Sequence, residues 1–183
     1  MSDKDRKSVF IITGETGSGK TTYLLKLIEE LKRKASSIAG FAALSIPGDG
    51  ASGSYNILDL VSGKILSLAT RGFNEGWEQI GNFYFNPAGI QMGKEILEDP
   101  LIINNDLIVV DEIGPFELDG KVWAESLTHL LNGQNCSVLL VVREQLVSRV
   151  IQQWRLEDAM IIKIGQIKPE QVAVTIRSQS VGT

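Results

Sequence analysis

The stretch Gly14-Glu15-Thr16-Gly17-Ser18-Gly19-Lys20-Thr21 fits G-x-x-x-x-G-K-S/T, the spacing of a phosphate-binding loop. Each residue type has a physical task. Gly14, Gly17 and Gly19 let backbone N–H groups turn inward around a phosphate with no Cβ in the way. A helix N-terminus directly behind them adds partial positive charge. Lys20 is placed to reach the β- and γ-phosphates, and the Thr21 hydroxyl to ligate Mg²⁺. Glu15, Thr16, Ser18 and Thr22 complete the nucleotide-binding stretch. At average residue usage the motif arises by chance about a few times in 10⁵ positions.

A loop that grips phosphate does not choose a reaction, so a second set of residues is needed. Asp111 ends the apolar run Leu107 to Val110, as a Walker B aspartate does. A carboxylate there holds Mg²⁺, usually through a water, opposite Thr21. Side chains alternate along a strand, so Glu112 is free for another task. It is expected to orient, or take a proton from, a water in line with the γ-phosphate; the other reading is a cap on the following turn. Gly114 would let the backbone approach that phosphate. Asp111-Glu112-Ile113-Gly114 also fits the D-x-x-G of GTPase switch regions. No N/T-K-x-D guanine-reading motif accompanies it, which argues against a GTPase.

Two arginines follow predicted strands. Arg143 comes after the run 137–142 and lies at the P-loop edge if the sheet is parallel. It reads either as a γ-phosphate contact or as an ion pair with a neighbouring carboxylate or Glu144. Arg71 follows the run 64–69 and is the second candidate for assisting catalysis. Phe73, Trp77, Phe83, Tyr84 and Phe85 read as core or hydrophobic patch before base-stacking. Glu117 and Lys121 read as a solvated helix entrance.

The elements that must position these groups follow from periodicity. Val9 to Thr13 is wholly apolar, as a strand covered on both faces is. Leu24, Leu27, Ile28 and Leu31 recur at helical spacing within Thr21 to Lys34. Ile38 to Ile46 reads as a strand, and 47–53 as a flexible loop. Tyr55 to Val61 and Lys64 to Ala69 read as a hairpin joined at Ser62-Gly63. The segment 71–81 is irregular, and Asn82 to Phe85 is a short strand. Pro87 opens a helix to about Glu98. Helices are expected over about 120–131 and 143–154, and strands over 107–110, 137–142, 160–164 and 172–176. Strands alternating with helices predict an α/β fold with a mostly parallel central sheet, helices on both faces and an antiparallel hairpin at about 55–69.

Composition narrows the class. With 183 residues, 43% of them hydrophobic, the chain suits a single domain over its whole length, with a frayed tail at 1–8. A net charge of −4 makes nucleic acid an unexpected partner. Cys136 is the one cysteine, so no internal disulfide is possible, and it reads as a small buried residue. His129 is the one histidine and reads as structural or solvent-facing; no G-x-S-x-G element accompanies it. No apolar run reaches the length of a membrane span, and the charged N-terminus is unlike a signal peptide; a cytoplasmic protein is expected.

Gly14 to Thr22, Ala39-Gly40-Phe41, Tyr55 to Leu60 with Leu68-Ala69-Thr70-Arg71, and Val110-Asp111-Glu112-Ile113-Gly114-Pro115-Phe116-Glu117 together resemble the THEP1-type nucleoside-triphosphatases. The resemblance covers most of the chain and is weakest after about residue 145. It implies a RecA/AAA-like P-loop fold and Mg²⁺-dependent hydrolysis of several nucleoside triphosphates to diphosphate and phosphate. The family's Walker A lysine falls on Lys20, its Mg²⁺ hydroxyl on Thr21 and its Walker B pair on Asp111 and Glu112. Many members carry Gly-Lys-Met-Glu where this chain has Gly114-Pro115-Phe116-Glu117, so the basic residue is absent here. The function expected is therefore hydrolysis of nucleoside triphosphates. The alternatives are phosphoryl transfer to a small acceptor and a nucleotide-dependent binding switch with little turnover.

Overall fold

Strands that are apolar at every position need cover on both faces, and the central strands of this chain have it. The computed structural model describes residues 8–46, 53–133 and 136–180. The expected tail (1–7) and most of the expected 47–53 loop (47–52) lie outside the described residues. Nine strands, β1 (Val9–Gly14), β2 (Ile38–Ser45), β3 (Tyr55–Asp59), β4 (Ile65–Thr70), β5 (Glu78–Ile80), β6 (Phe83–Phe85), β7 (Leu107–Ile113), β8 (Ser137–Arg143) and β9 (Met160–Lys163), make one sheet among these residues. Its order is β5-β6-β4-β3-β2-β7-β8-β1-β9. The five strands from β2 to β9 run parallel. From β2 outward through β3, β4, β6 and β5 every neighbour is antiparallel. The expected hairpin is β3 and β4.

Helices α1 (Lys20–Arg33), α2 (Pro87–Glu98), α3 (Pro115–Leu118), α4 (Ala124–Gly133), α5 (Val147–Trp154) and α6 (Pro169–Ser180) cover the two faces. Alternation along the strands sorts the interior. Ile11, Ile108, Val110, Val138 and Leu140 pack in one core with Leu97 of α2, Leu127 of α4 and Val150 of α5. Phe10, Ile12, Val109, Leu139 and Val141 pack in the other with Leu24, Leu27 and Leu31 of α1 and Val172 and Ile176 of α6. Each such apolar side chain contributes about 1.5–3 kcal/mol relative to exposure. Gly40 shows how closely β2 and β7 approach: its φ is +101°, and a Cβ there would lie 2.0 Å from the Val109 carbonyl oxygen.

Several expectations are corrected. The run 172–176 is helical, not a strand. Val172, Ala173 and Ile176 are buried while Val174 is 56% exposed, a helical rhythm that β-branched composition disguised. Pro169 starts that helix, where its missing N–H costs nothing. The 71–81 segment contains β5, which gains its order by pairing with β6. The helix expected from about 120 begins at Ala124; Gly120 has φ +75°, and the separate four-residue α3 precedes it. The helix expected from Arg143 begins at Val147, after a 3₁₀ turn over Glu144–Leu146. β7 runs to Ile113, so Asp111 lies within the strand and not just past its end.

Candidate active site

The glycine-rich loop spans the end of β1 and the start of α1. Gly19, the residue before the helix, has φ +88°, a conformation glycine adopts without strain. No side chain caps α1, so its first N–H groups stay directed at the concavity of the loop. Glu15, Thr16, Gly17, Ser18 and Gly19 are exposed around that concavity. Ser18 donates through Oγ to the Glu15 carbonyl at 2.6 Å. Lys20 is only 6% exposed, and its ammonium donates to the same carbonyl at 2.9 Å. Thr22 is exposed on the outer side of the first helical turn.

Thr21 and Asp111 are ninety residues apart in sequence and meet directly: the Thr21 hydroxyl donates to Asp111 Oδ2 at 3.0 Å. Asp111 is fully buried, and its Oδ1 has no hydrogen-bond partner. Burial and, second, the Glu112 carboxylate push its carboxyl group up to about 7, while Thr21, Ala43 and the Lys20 charge pull the other way. A hydroxyl and a carboxylate with a spare buried oxygen suit a hard divalent cation, which would hold Asp111 ionised. Among the described residues no group of three or more His, Cys, Asp and Glu offers a metal cage. A cation here would share its coordination among these two side chains, phosphate oxygens and water.

Glu112, half-buried next to the fully buried Asp111, sits at an irregularity the strand pattern did not reveal. The register between β7 and β8 slips between Asp111 and Ile113. Glu112 is therefore the extra residue of a bulge, the device that re-aims a side chain at a strand end. The Asp111–Glu112 peptide bond is cis. Glu112 Oε1 accepts from Arg143 Nε in an ion pair that is partly exposed. Of the carboxylates considered as ion-pair partners for Arg143, the one it meets is Glu112 and not Glu144. Glu144 pairs instead with Lys163 across the end of β1. Arg143 is also the β8 residue in register with Gly14, so β8 sets it between the loop and the acidic pair.

Arg71 is not brought into this group. β4 stands three strand steps from β7, roughly 14 Å at about 4.8 Å per step. The Arg71 guanidinium lies over the Phe83 ring, 5.3 Å from its centroid. Phe83 and Phe85 meet Phe116 edge-on, so these aromatics are packing groups, while Phe73 rests its exposed ring against Tyr84. His129 is exposed and Cys136 buried, as expected.

Glu117 was misread as solvated. It is 4% exposed, and its Oε2 accepts from the Gly114 N–H at 2.8 Å. Burial pushes its carboxyl group up to about 7. The one sequence signal for this was its spacing three residues after Gly114, the reach of an N3 glutamate to a helix-capping amide.

A parallel set of strands with a glycine-rich loop before a helix and an acidic pair two strands away at the same edge defines a P-loop nucleotide-binding protein. The NTPase family profile matches residues 9–176. The THEP1 nucleoside-triphosphatase of Archaeoglobus fulgidus is 31% identical over 146 residues, 79% of this chain and 84% of that protein. The THEP1 nucleoside-triphosphatase of Methanothermobacter thermautotrophicus is 27% identical over 91% of this chain and 92% of its own. The crystal structure of THEP1 from Aquifex aeolicus superposes with a TM-score of 0.68 at 24% identity, covering 93% and 95% of the two chains. The chain belongs to the NTPase family, the THEP1-type nucleoside-triphosphatases.

Proposed function

We propose that this nucleoside-triphosphatase hydrolyses ATP, GTP and related triphosphates to diphosphate and phosphate with Mg²⁺ as its cofactor. The observation that carries the reading is the Thr21–Asp111 contact, which sets a hydroxyl and a buried carboxylate with one unpartnered oxygen at the mouth of α1. In this reading the amides of Gly14 to Gly19 and the Lys20 ammonium neutralise the β- and γ-phosphates. Thr21 and Asp111 hold Mg²⁺, which when bound supplies positive charge to the phosphate oxygens.

Glu112 orients the attacking water and takes its proton. Its present partner, Arg143, in register with Gly14 of the loop, is a second cation beside Lys20 that a γ-phosphate would claim. Arrival of the triphosphate then exchanges one anion for another at Arg143 and frees Glu112 for water. A diphosphate leaves the pair intact. Arg71, seated on Phe83, takes no part in the hydrolytic step.

The test is phosphate release from ATP, GTP, CTP and UTP, with Mg²⁺ and with a chelator. Release that needs the metal and falls in the Glu112→Gln variant supports the reading. Metal-independent release, or phosphate appearing only when a small acceptor is added, refutes hydrolysis by this site.

A further inference from the structure

We infer that Glu117 is a positioning residue of the reaction: its carboxyl group, buried beneath the Asp111–Gly114 segment, holds the Gly114 amide and through it the backbone that aims Glu112. The inference rests on the role proposed above for Glu112. As the N3 residue of α3, Glu117 caps the helix, and the same bond ties the Gly114 backbone. Taking a carboxyl group out of water costs several kcal/mol unless its partners are well placed. Leu118 beside it enters the core, and an apolar residue at 117 would fill the volume but leave the buried Gly114 N–H without an acceptor. What the carboxyl group adds is an acceptor for the buried N–H of Gly114, two residues beyond Glu112.

Three ties fix the segment. Thr21 holds Asp111, Arg143 holds Glu112, and Glu117 holds Gly114. The first two use groups that a metal–triphosphate complex would claim. The third uses neither, so it persists while the others exchange. Its base is firm: Phe116, the preceding residue, meets Phe85 edge-on at 5.4 Å and Phe83 at 6.3 Å. Glu117 also stands close enough to Glu112 and Arg143 for their charges to act on it in opposite directions, which places all three side chains in one group.

The test uses the full chain with Mg²⁺ and ATP and compares E117D, E117A, E117Q and E112Q. E117D keeps a carboxylate but falls one methylene short of Gly114; E117Q keeps both reach and acceptor. E117D and E117A are expected to lose kcat by about 10²-fold, the scale of a misplacement near 1 Å. Their affinity for a non-hydrolysable ATP analogue stays within about threefold of the parent, and E117Q keeps kcat within about threefold. E117D carries the result if E117A does not fold. Unchanged kcat in E117D, a loss of affinity equal to the loss of kcat, or an E117Q as slow as E117D overturns the inference. Normal turnover in E112Q would instead remove the role of Glu112, a separate failure visible whatever the Glu117 variants do.

Discussion

The parallel and antiparallel halves of the sheet bring strand ends to the same edge and use them differently. In the parallel half β1 runs straight into α1, so strand end and helix N-terminus converge on one spot. The groups there are buried or half-buried and tied to one another, with Asp111 0% exposed. In the antiparallel half successive strands reverse, and turns and aromatic rings occupy the edge. Arg71 is exposed and Phe73 is 77% exposed. Both halves carry an arginine at a strand end, Arg143 as the last residue of β8 and Arg71 just past β4. The buried frame aims one at a carboxylate beside the phosphate loop; the margin lets the other settle on a ring. β4 has a strand on each side just as β8 does, so what separates the two arginines is the partner each strand end brings within reach, a carboxylate for Arg143 and a ring for Arg71.

The largest effect expected is at the loop. Parent protein with ATP at about 100 Kd should gain about 2.7 kcal/mol, or roughly 5–10 °C in Tm for a chain of this size. Lys20→Ala should lose that gain; an equal rise in the variant would detach the loop from nucleotide binding. Glu112→Gln should slow steady-state phosphate release by about 10² or more while nucleotide still binds.

At the seam between the halves, Gly40→Ala drives a methyl group into the Val109 carbonyl at a φ of +101°. A cost above about 3 kcal/mol is expected, seen as a fall of roughly 6–12 °C in calorimetric Tm. The paired arginines sharpen the comparison most directly. Arg143→Ala should lower kcat about tenfold or more, with a smaller change in affinity, and Arg71→Ala should stay within about threefold. The reverse order would move the reactive edge to the antiparallel half.

The smallest effect is a pH dependence. Glu117 titrates at about 7 when folded against 4.5 unperturbed. Between those values the folded chain keeps a proton that the unfolded chain has released. The stability tied to the protonated group is full below about 4.5 and declines as pH rises through about 7. Denaturant midpoints taken from pH 4.5 to 8 should therefore fall less steeply for Glu117→Gln than for the parent. Parallel curves would mean that Glu117 is not buried.

Much of the frame was legible. Leu24, Leu27, Ile28 and Leu31 announce α1, and the wholly apolar runs announce β1, β7 and β8. The rest was hidden wherever pairing outweighed local pattern. Val172-Ala173-Val174-Thr175-Ile176 has strand composition, yet its buried positions face the α1 core at helical spacing. Glu78–Ile80 has little strand character and is ordered by β6. Glu117 looks like a solvated charge until α3 turns it under Gly114.

The sequence by itself determined the parts whose physics is local: a glycine-rich turn that can expose amides, a lysine and threonine at fixed offsets from it, an amphipathic helix and an apolar strand followed directly by two carboxylates in the chain. Only the tertiary structure decided which partners those groups meet. The register of β8 between β1 and β7 set Arg143 against Glu112, and neighbouring carboxylates on either side of the register slip met different partners, Thr21 for Asp111 and Arg143 for Glu112. Such contacts join residues tens of positions apart, and they are settled by strand order and burial, which no short window of sequence contains.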